Sequence, residues 1–253
     1  MSPMIIALSS FACMFAGVLL GVILRKALPK HHFDVDSKEV IKLAAGMIAM
    51  QAALVLGLLV SSAKSSFDSM NDGLTQAGAK FILVDRALSR YGPESRDLRE
   101  QLRHNLAFAI EQIWPKQPAG AGGVNAFEEA TEWQKLGDKL LALTPRNESQ
   151  RQDKAQAVQI AGELAQLRWS LIEGMHTSIP IVLLGVLVFW FTVLFAMFGL
   201  LAPGNATLNT VLLVCALSVA GGVFLILEMS QPLTGILKVS SAPLENALIH
   251  LGR

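Results

Sequence analysis

Four stretches of about twenty residues without a single charged side chain constrain this chain more than anything else in it. They cover residues 4–24, 43–63, 179–201 and 208–227. A bilayer core is about 30 Å thick and takes roughly 20 apolar residues in helical form. Backbone groups find no water there, so each run must satisfy its hydrogen bonds internally, as a helix. The first run ends at Arg25-Lys26, the second is bracketed by Lys42 and Lys64, the third holds Trp190 and four phenylalanines, and the fourth stops at Glu228. The first run lacks a basic leader, is longer than a secretion-signal core and has no small-x-small cleavage site before Arg25, so it reads as a retained span. The fold class expected is all-α: four transmembrane helices with a helical extramembrane domain between the second and third.

Composition agrees. Charged residues make up 16% of the chain, too few to cover a globular surface when soluble domains average about 25%. The net charge of +1 gives no basic field for nucleic acid. Cys13 and Cys215 each sit inside an apolar run without a CxxC partner and read as small hydrophobes.

The expected domains are 1–63, holding the first two spans and a basic connector; 64–177, a water-facing helical domain; 178–228, a hairpin of the last two spans turning at Pro203-Gly204-Asn205; and 229–253, a C-terminal tail. Residues 64–177 carry 14 Lys/Arg against 15 Asp/Glu, again no nucleic-acid footprint. Phe67, Met70, Leu74, Ala77, Phe81, Val84 and Leu88 recur at spacings of three and four, the stripe that seats one helix on another. No breaker separates it from the second span, so one helix is expected to continue to Tyr91-Gly92-Pro93. A second should run from about Glu94 to Trp114, burying Leu98, Leu102, Leu106, Ile110 and Ile113. Residues 115–123, rich in proline and glycine, read as a loop. Asn125 with Glu128 resembles a capping box for a helix ending near Leu143, and Thr144-Pro145 would open the last helix before the third span.

Two spans carry marks of close helix packing. Gly17 and Gly21 form a GxxxG, and Ala45, Ala49, Ala53, Gly57 and Ser61 recur every four residues. That spacing is read as one face open to a partner backbone. Two polar residues are the candidates for a pore or bundle interior. Gln51 stands alone in the second span, and Glu228 sits where the fourth meets water.

Enzyme chemistry is not expected, and no catalytic residue, cofactor or metal is assigned. His31-His32 beside Asp34 and Asp36 lacks further ligands. Ser61-Ser62-Ala63-Lys64 matches a bare Ser-x-x-Lys at a membrane boundary, where a snorkelling lysine explains it. The glycines of 119–123 follow no strand and precede no Gly-Lys-Ser.

Certain segments resemble a known family. Residues 54–68 (LVLGLLVSSAKSSFD), Val84-Asp85-Arg86-Ala87-Leu88 with Tyr91-Gly92-Pro93-Glu94, and the tail Gln231 to Ser240 followed by Ser241 to Leu248 look like the bestrophin-like family of bacterial membrane proteins, a domain of unknown function. The resemblance covers nearly the whole chain. It implies two spans on either side of a helical domain, as in bestrophin ion channels, which assemble as pentamers with the second helix at the pore. No catalytic or binding residue carries over. Where the bestrophin pore neck clusters large apolar residues, this chain has Leu54, Leu56, Leu58 and Leu59 but no phenylalanine.

The leading expectation is thus a homo-oligomeric ion channel or channel-like protein of the bacterial inner membrane, with the lipid bilayer, copies of itself and ions as partners. The competing class is a non-conducting scaffold or sensor that binds a partner through its helical domain. A transporter is a third, without the broken-helix repeats that usually mark one. Five Lys/Arg from Arg25 to Lys42 face four near the membrane on the other side, a lean towards a periplasmic 64–177 that bestrophin architecture opposes.

Overall fold

The computed structural model describes residues 2–27, 34–115, 130–176, 181–202 and 206–252. Among them there are helices and no strand. In chain order they are α1 (Pro3–Ala27), α2 (Val35–Tyr91), a 3-10 turn (Pro93–Ser95), α3 (Arg96–Ile113), α4 (Ala130–Ala142), α5 (Glu148–His176), α6 (Ile181–Leu201), α7 (Ala206–Met229) and α8 (Ala242–His250). Of the described helices, four are long and apolar enough to cross a membrane: α1, α2, α6 and α7.

The chain divides into two compact units. One comprises residues 1–65 and 178–230, the other residues 66–177 and 231–253. The helix α2 belongs to both, running unbroken through 57 residues, because no proline or helix-ending glycine interrupts the passage from Ala63 to Phe67. The segment expected as a separate tail, 229–253, contributes α8 to the second unit.

In the first unit α1 and α6 run in the same direction. Gly17 lies against Thr192, Gly21 against Ala196, Gly199 against Val18, and the Arg25 guanidinium donates to the carbonyl of Ala202. Each of these glycines leaves no room for a side chain; a Cβ on Gly17 would stand 2.5 Å from the Thr192 carbonyl oxygen. Helices in lipid gain little from hydrophobic burial against each other, so backbone approach of this kind supplies the contact. Met14, Val18 and Phe195 form one small core with Leu212, Ala216 and Ala220 of α7.

The second unit has a conventional layered core. The stripe Met70, Leu74, Ala77, Phe81, Val84 and Leu88 of α2 meets Leu98, Leu102, Leu106 and Ile110 of α3, with Leu140, Ala157, Ile160, Leu171, Leu244 and Ala247. Burying a leucine fully is worth about 1.5–3 kcal/mol, and Leu74, Leu88, Leu102 and Leu106 are each at most 2% exposed. Gly92 adopts a positive φ of 122°, which turns the chain sharply after Tyr91. The buried Ser95 closes that turn, its hydroxyl donating to the carbonyls of Leu88 (2.5 Å) and Gly92 (2.8 Å).

Helix α5 begins at Glu148, not at Thr144-Pro145 as expected. The Asn147 side chain accepts from the Gln150 amide at 2.8 Å, and this cap outcompetes the proline as a start signal. The supposed capping box at Asn125, the loop 116–123, His31-His32 and the turn at Pro203-Gly204-Asn205 lie outside the described residues.

Candidate functional site

Two places merit attention, one in each unit. The first is the part of α2 that crosses the first unit. Its inner face is Ala45, Ala52, Leu59 and Ala63, all buried, the last three set against Leu187 of α6 and Ile226 of α7. The opposite side is open: Met47, Gln51, Leu54 and Leu58 are exposed and follow spacings of four, three and four, a single face of the helix.

The small-residue series divides. Ala45 is buried, Ala49 half-buried, and Ala53, Gly57 and Ser61 exposed, with nothing within 4 Å of a Cβ on Gly57. The expectation of five residues along one face therefore needs correction. A step of four residues turns a helix by about 400°, so the series advances about 40° per step and winds from the inner side to the outer one. Gly17 and Gly21 lie wholly inside the unit.

Glu228 is buried, 4% exposed, near the end of α7, whereas Gln51 is exposed on α2. One candidate thus belongs to the interior of the unit and the other to its surface. No group of three or more His, Cys, Asp or Glu able to hold a metal occurs among the described residues.

The second place is a cavity of about 440 Å³ within the helical unit. Leu74, Phe81 and Val84 of α2, Leu102 and Leu106 of α3, Trp133 and Leu140 of α4, and Val158, Ala161 and Leu171 of α5 give it apolar walls. Arg168 of α5 is the one charged residue among the described lining residues. Its Nε and Nη1 atoms are buried without a hydrogen-bond partner, and burial pushes its guanidinium below the ordinary arginine value. The guanidinium stands 5.8 Å from the centre of the exposed Trp169 ring.

Several other charges of this unit are paired. Arg99 reaches Asp85 with two bonds, Nε to Oδ1 at 2.7 Å and Nη2 to Oδ2 at 2.9 Å. The hydrogen bond to Asp85 raises the Arg99 pKa against the opposing effect of burial, with charge attraction adding to it. Asp85 also accepts from the Gly252 amide at 3.2 Å, so one carboxylate holds α2, α3 and the residues after α8. Arg90 donates to Asp153 at 2.9 Å, and Lys80 to Glu163 at 2.5 Å.

In the sequence Arg168 stands out only as a charge near the third span and Asp85 only as part of the family resemblance, neither with a site role. Arg168 has a signal in hindsight: Ala157, Ile160, Ala161, Leu164, Leu171 and Ile172 mark the inner face of α5, and Arg168 falls on that same periodicity. A lone cation on an apolar face is the pattern to look for.

Among families of known proteins, the model of the bestrophin-like domain matches residues 12–244. No curated protein and no solved structure matches the chain.

Proposed function

Since the chain belongs to the bestrophin-like family, we propose that it is a homo-oligomeric membrane protein whose copies gather with α2 towards a shared axis and let ions pass between them. The helical unit stands outside the lipid in this reading, and the membrane is the bacterial inner membrane. The observation that carries it is the exposure of Gln51 on the open face of α2. An amide without partners in lipid costs several kcal/mol, so Gln51 needs protein or water beside it, and the subunit by itself offers neither enclosure.

Around an axis, Met47, Leu54 and Leu58 would form apolar rings with one ring of Gln51 among them. A neutral polar ring lowers the barrier to wetting without adding fixed charge, so it acts on conductance more than on charge selectivity. The adjacent exposed residues Ala53, Gly57 and Ser61 let the neighbouring subunit's backbone come close.

Reconstitution of the purified protein in liposomes tests this. Ion flux should exceed that of empty liposomes, and Gln51→Leu should lower it severalfold with the oligomer mass unchanged. Flux unaffected by Gln51→Leu would move the passage elsewhere. An absence of flux would favour the second reading, a non-conducting scaffold or sensor, which the lack of charge inside all four apolar runs supports.

A further inference from the structure

The cavity of the helical unit has walls suited to a hydrocarbon and one group that is not. Arg168 is half-buried, but its Nε and Nη1 are covered, and covered charged donors without acceptors are unfavourable. Arg99 in the same unit meets that cost with Asp85, whereas no acidic residue lines the cavity beside Arg168 among the described residues. Water is a poor substitute: an ordered water wants two to four polar partners, and Gln134 is the one side chain on the described lining that carries an acceptor. A guanidinium stays protonated even when burial lowers its pKa, and among the described residues nothing accepts from Nε and Nη1, which leaves these two donors open to an acceptor in the cavity.

We propose that this cavity binds a long-chain carboxylate, with the acyl chain between α2, α3, α4 and α5 and the carboxylate on the buried nitrogens of Arg168. A single negative charge matches the single cation. A phosphate monoester would bring close to two charges and leave one of them uncompensated in an apolar enclosure. The volume of about 440 Å³ lies within the usual range of ligand pockets, roughly 300–1,000 Å³. With a methylene taken as similar to a liquid water at ~30 Å³, it accommodates a chain of about fourteen carbons. The carboxylate accepts charge-assisted hydrogen bonds from the guanidinium, and the neutral alcohol of equal length cannot replace them. The site is independent of conduction and uses no residue of the passage proposed for α2.

Photolabelling of the full-length protein in nanodiscs with a tail-diazirine fourteen-carbon fatty acid tests it, with adducts mapped by peptide mass spectrometry. Adducts are expected on wall residues such as Leu102 and Leu140. Myristic acid should compete at least about tenfold better than tetradecanol, since hydrogen bonds to a charged group are worth a factor of that size. Arg168→Met should cut wall labelling about tenfold and raise the melting temperature of ligand-free protein, the reverse of what a merely structural arginine would do. Arg168→Lys should keep most of the labelling. Ala161→Phe, which fills the cavity and leaves Arg168 in place, should abolish it. Labelling confined to α1, α6 and α7, equal competition by acid and alcohol, or wall labelling that survives Ala161→Phe would each overturn the proposal.

Discussion

The two units of this chain solve the burial problem with different emphasis, although Gly78 in the second also lies close against a backbone carbonyl, that of Pro243. In the first, the closest contacts are backbone to backbone: Gly17 and Gly21 of α1 against α6, and Gly199 of α6 against α1. In the second, large side chains interlock in layers, and ion pairs such as Asp85 with Arg99 fix the helices to one another. The difference fits the reading proposed above, in which the first unit lies in lipid and the second in water. Lipid tails are as apolar as leucine, so helices there gain from close fit and not from expelling water. A helical bundle in water is driven by burial and tolerates size, but it is sensitive to an unmatched charge. The first unit should therefore fail when a small residue grows, the second when a charge loses its partner.

The largest effect is expected from Gly21→Leu. A side chain there meets the Ala196 carbonyl and the Leu200 amide, which are backbone and cannot turn aside. Overpacking costs about 1–3 kcal/mol when flexible neighbours can yield, and more when they cannot, so α1 should separate from α6. The yield of monodisperse protein in detergent should collapse. Gly57→Leu is the control in the same lipid environment. A Cβ at Gly57 meets nothing within 4 Å, and the stability of the fold should stay within about 0.5 kcal/mol, whatever happens to the oligomer proposed above. Equal loss from both substitutions would break the comparison on the membrane side.

On the other side, Asp85→Ala should cost about 3–5 kcal/mol, the usual penalty for stranding one member of a buried pair. Asp85 has 4% of its side chain exposed and Arg99 20%, so Arg99 would have limited recourse to water. The residues after α8 lose an anchor as well, because the Gly252 amide donates to the same carboxylate. Thermal unfolding followed by helical circular dichroism should show the drop. Replacing both residues, Asp85→Leu with Arg99→Met, should recover much of it. A double variant as unstable as Asp85→Ala would mean that the site matters for its shape and not for its charge.

What could be read in the sequence divides along the same line. Uncharged runs show where lipid can be, and the stripe from Phe67 to Leu88 shows which side of α2 is inward, because both depend only on side-chain chemistry and period. The bounds of α5 were less legible, since Thr144-Pro145 and Asn147 both look like starts and only local geometry chooses. The Ala45-to-Ser61 series misleads for a geometric reason: at four residues per step it drifts around the helix, and burial ends before Ala53. The cavity was illegible. Periodicity says which residues turn inward, not whether they meet, and nothing in the composition of α5 tells a satisfied arginine from a stranded one. Asp85 and Glu94 stand in segments that carry the family resemblance, yet Asp85 is a brace inside one unit and says nothing about conduction.

The smallest effect expected is at the surface of the helical unit, and it sharpens the claim that charge matters there according to burial. Lys80 donates to Glu163 at 2.5 Å, and Gln159 donates to the other carboxylate oxygen at 3.1 Å. The hydrogen bond from Lys80, that from Gln159 and then the lysine's charge hold the Glu163 carboxyl below its ordinary value. A carboxyl whose folded pKa is depressed stabilises the fold above its unfolded pKa, and that contribution disappears as pH falls through the folded one. The window therefore opens near the unperturbed glutamate value of about 4.3 and extends downward. Solvent reaches both side chains, 23% for Lys80 and 44% for Glu163, so exposure and salt should keep the coupling well under that of Asp85 with Arg99. A double-mutant cycle of Lys80→Met and Glu163→Gln, followed by thermal unfolding from about pH 6 to about pH 3, isolates the pair from the packing of the lysine stem. The coupling should be small and positive at the upper end, fade below the glutamate value, and shrink in high salt. A coupling that stays constant across this range would show that the contact between the two side chains is not electrostatic.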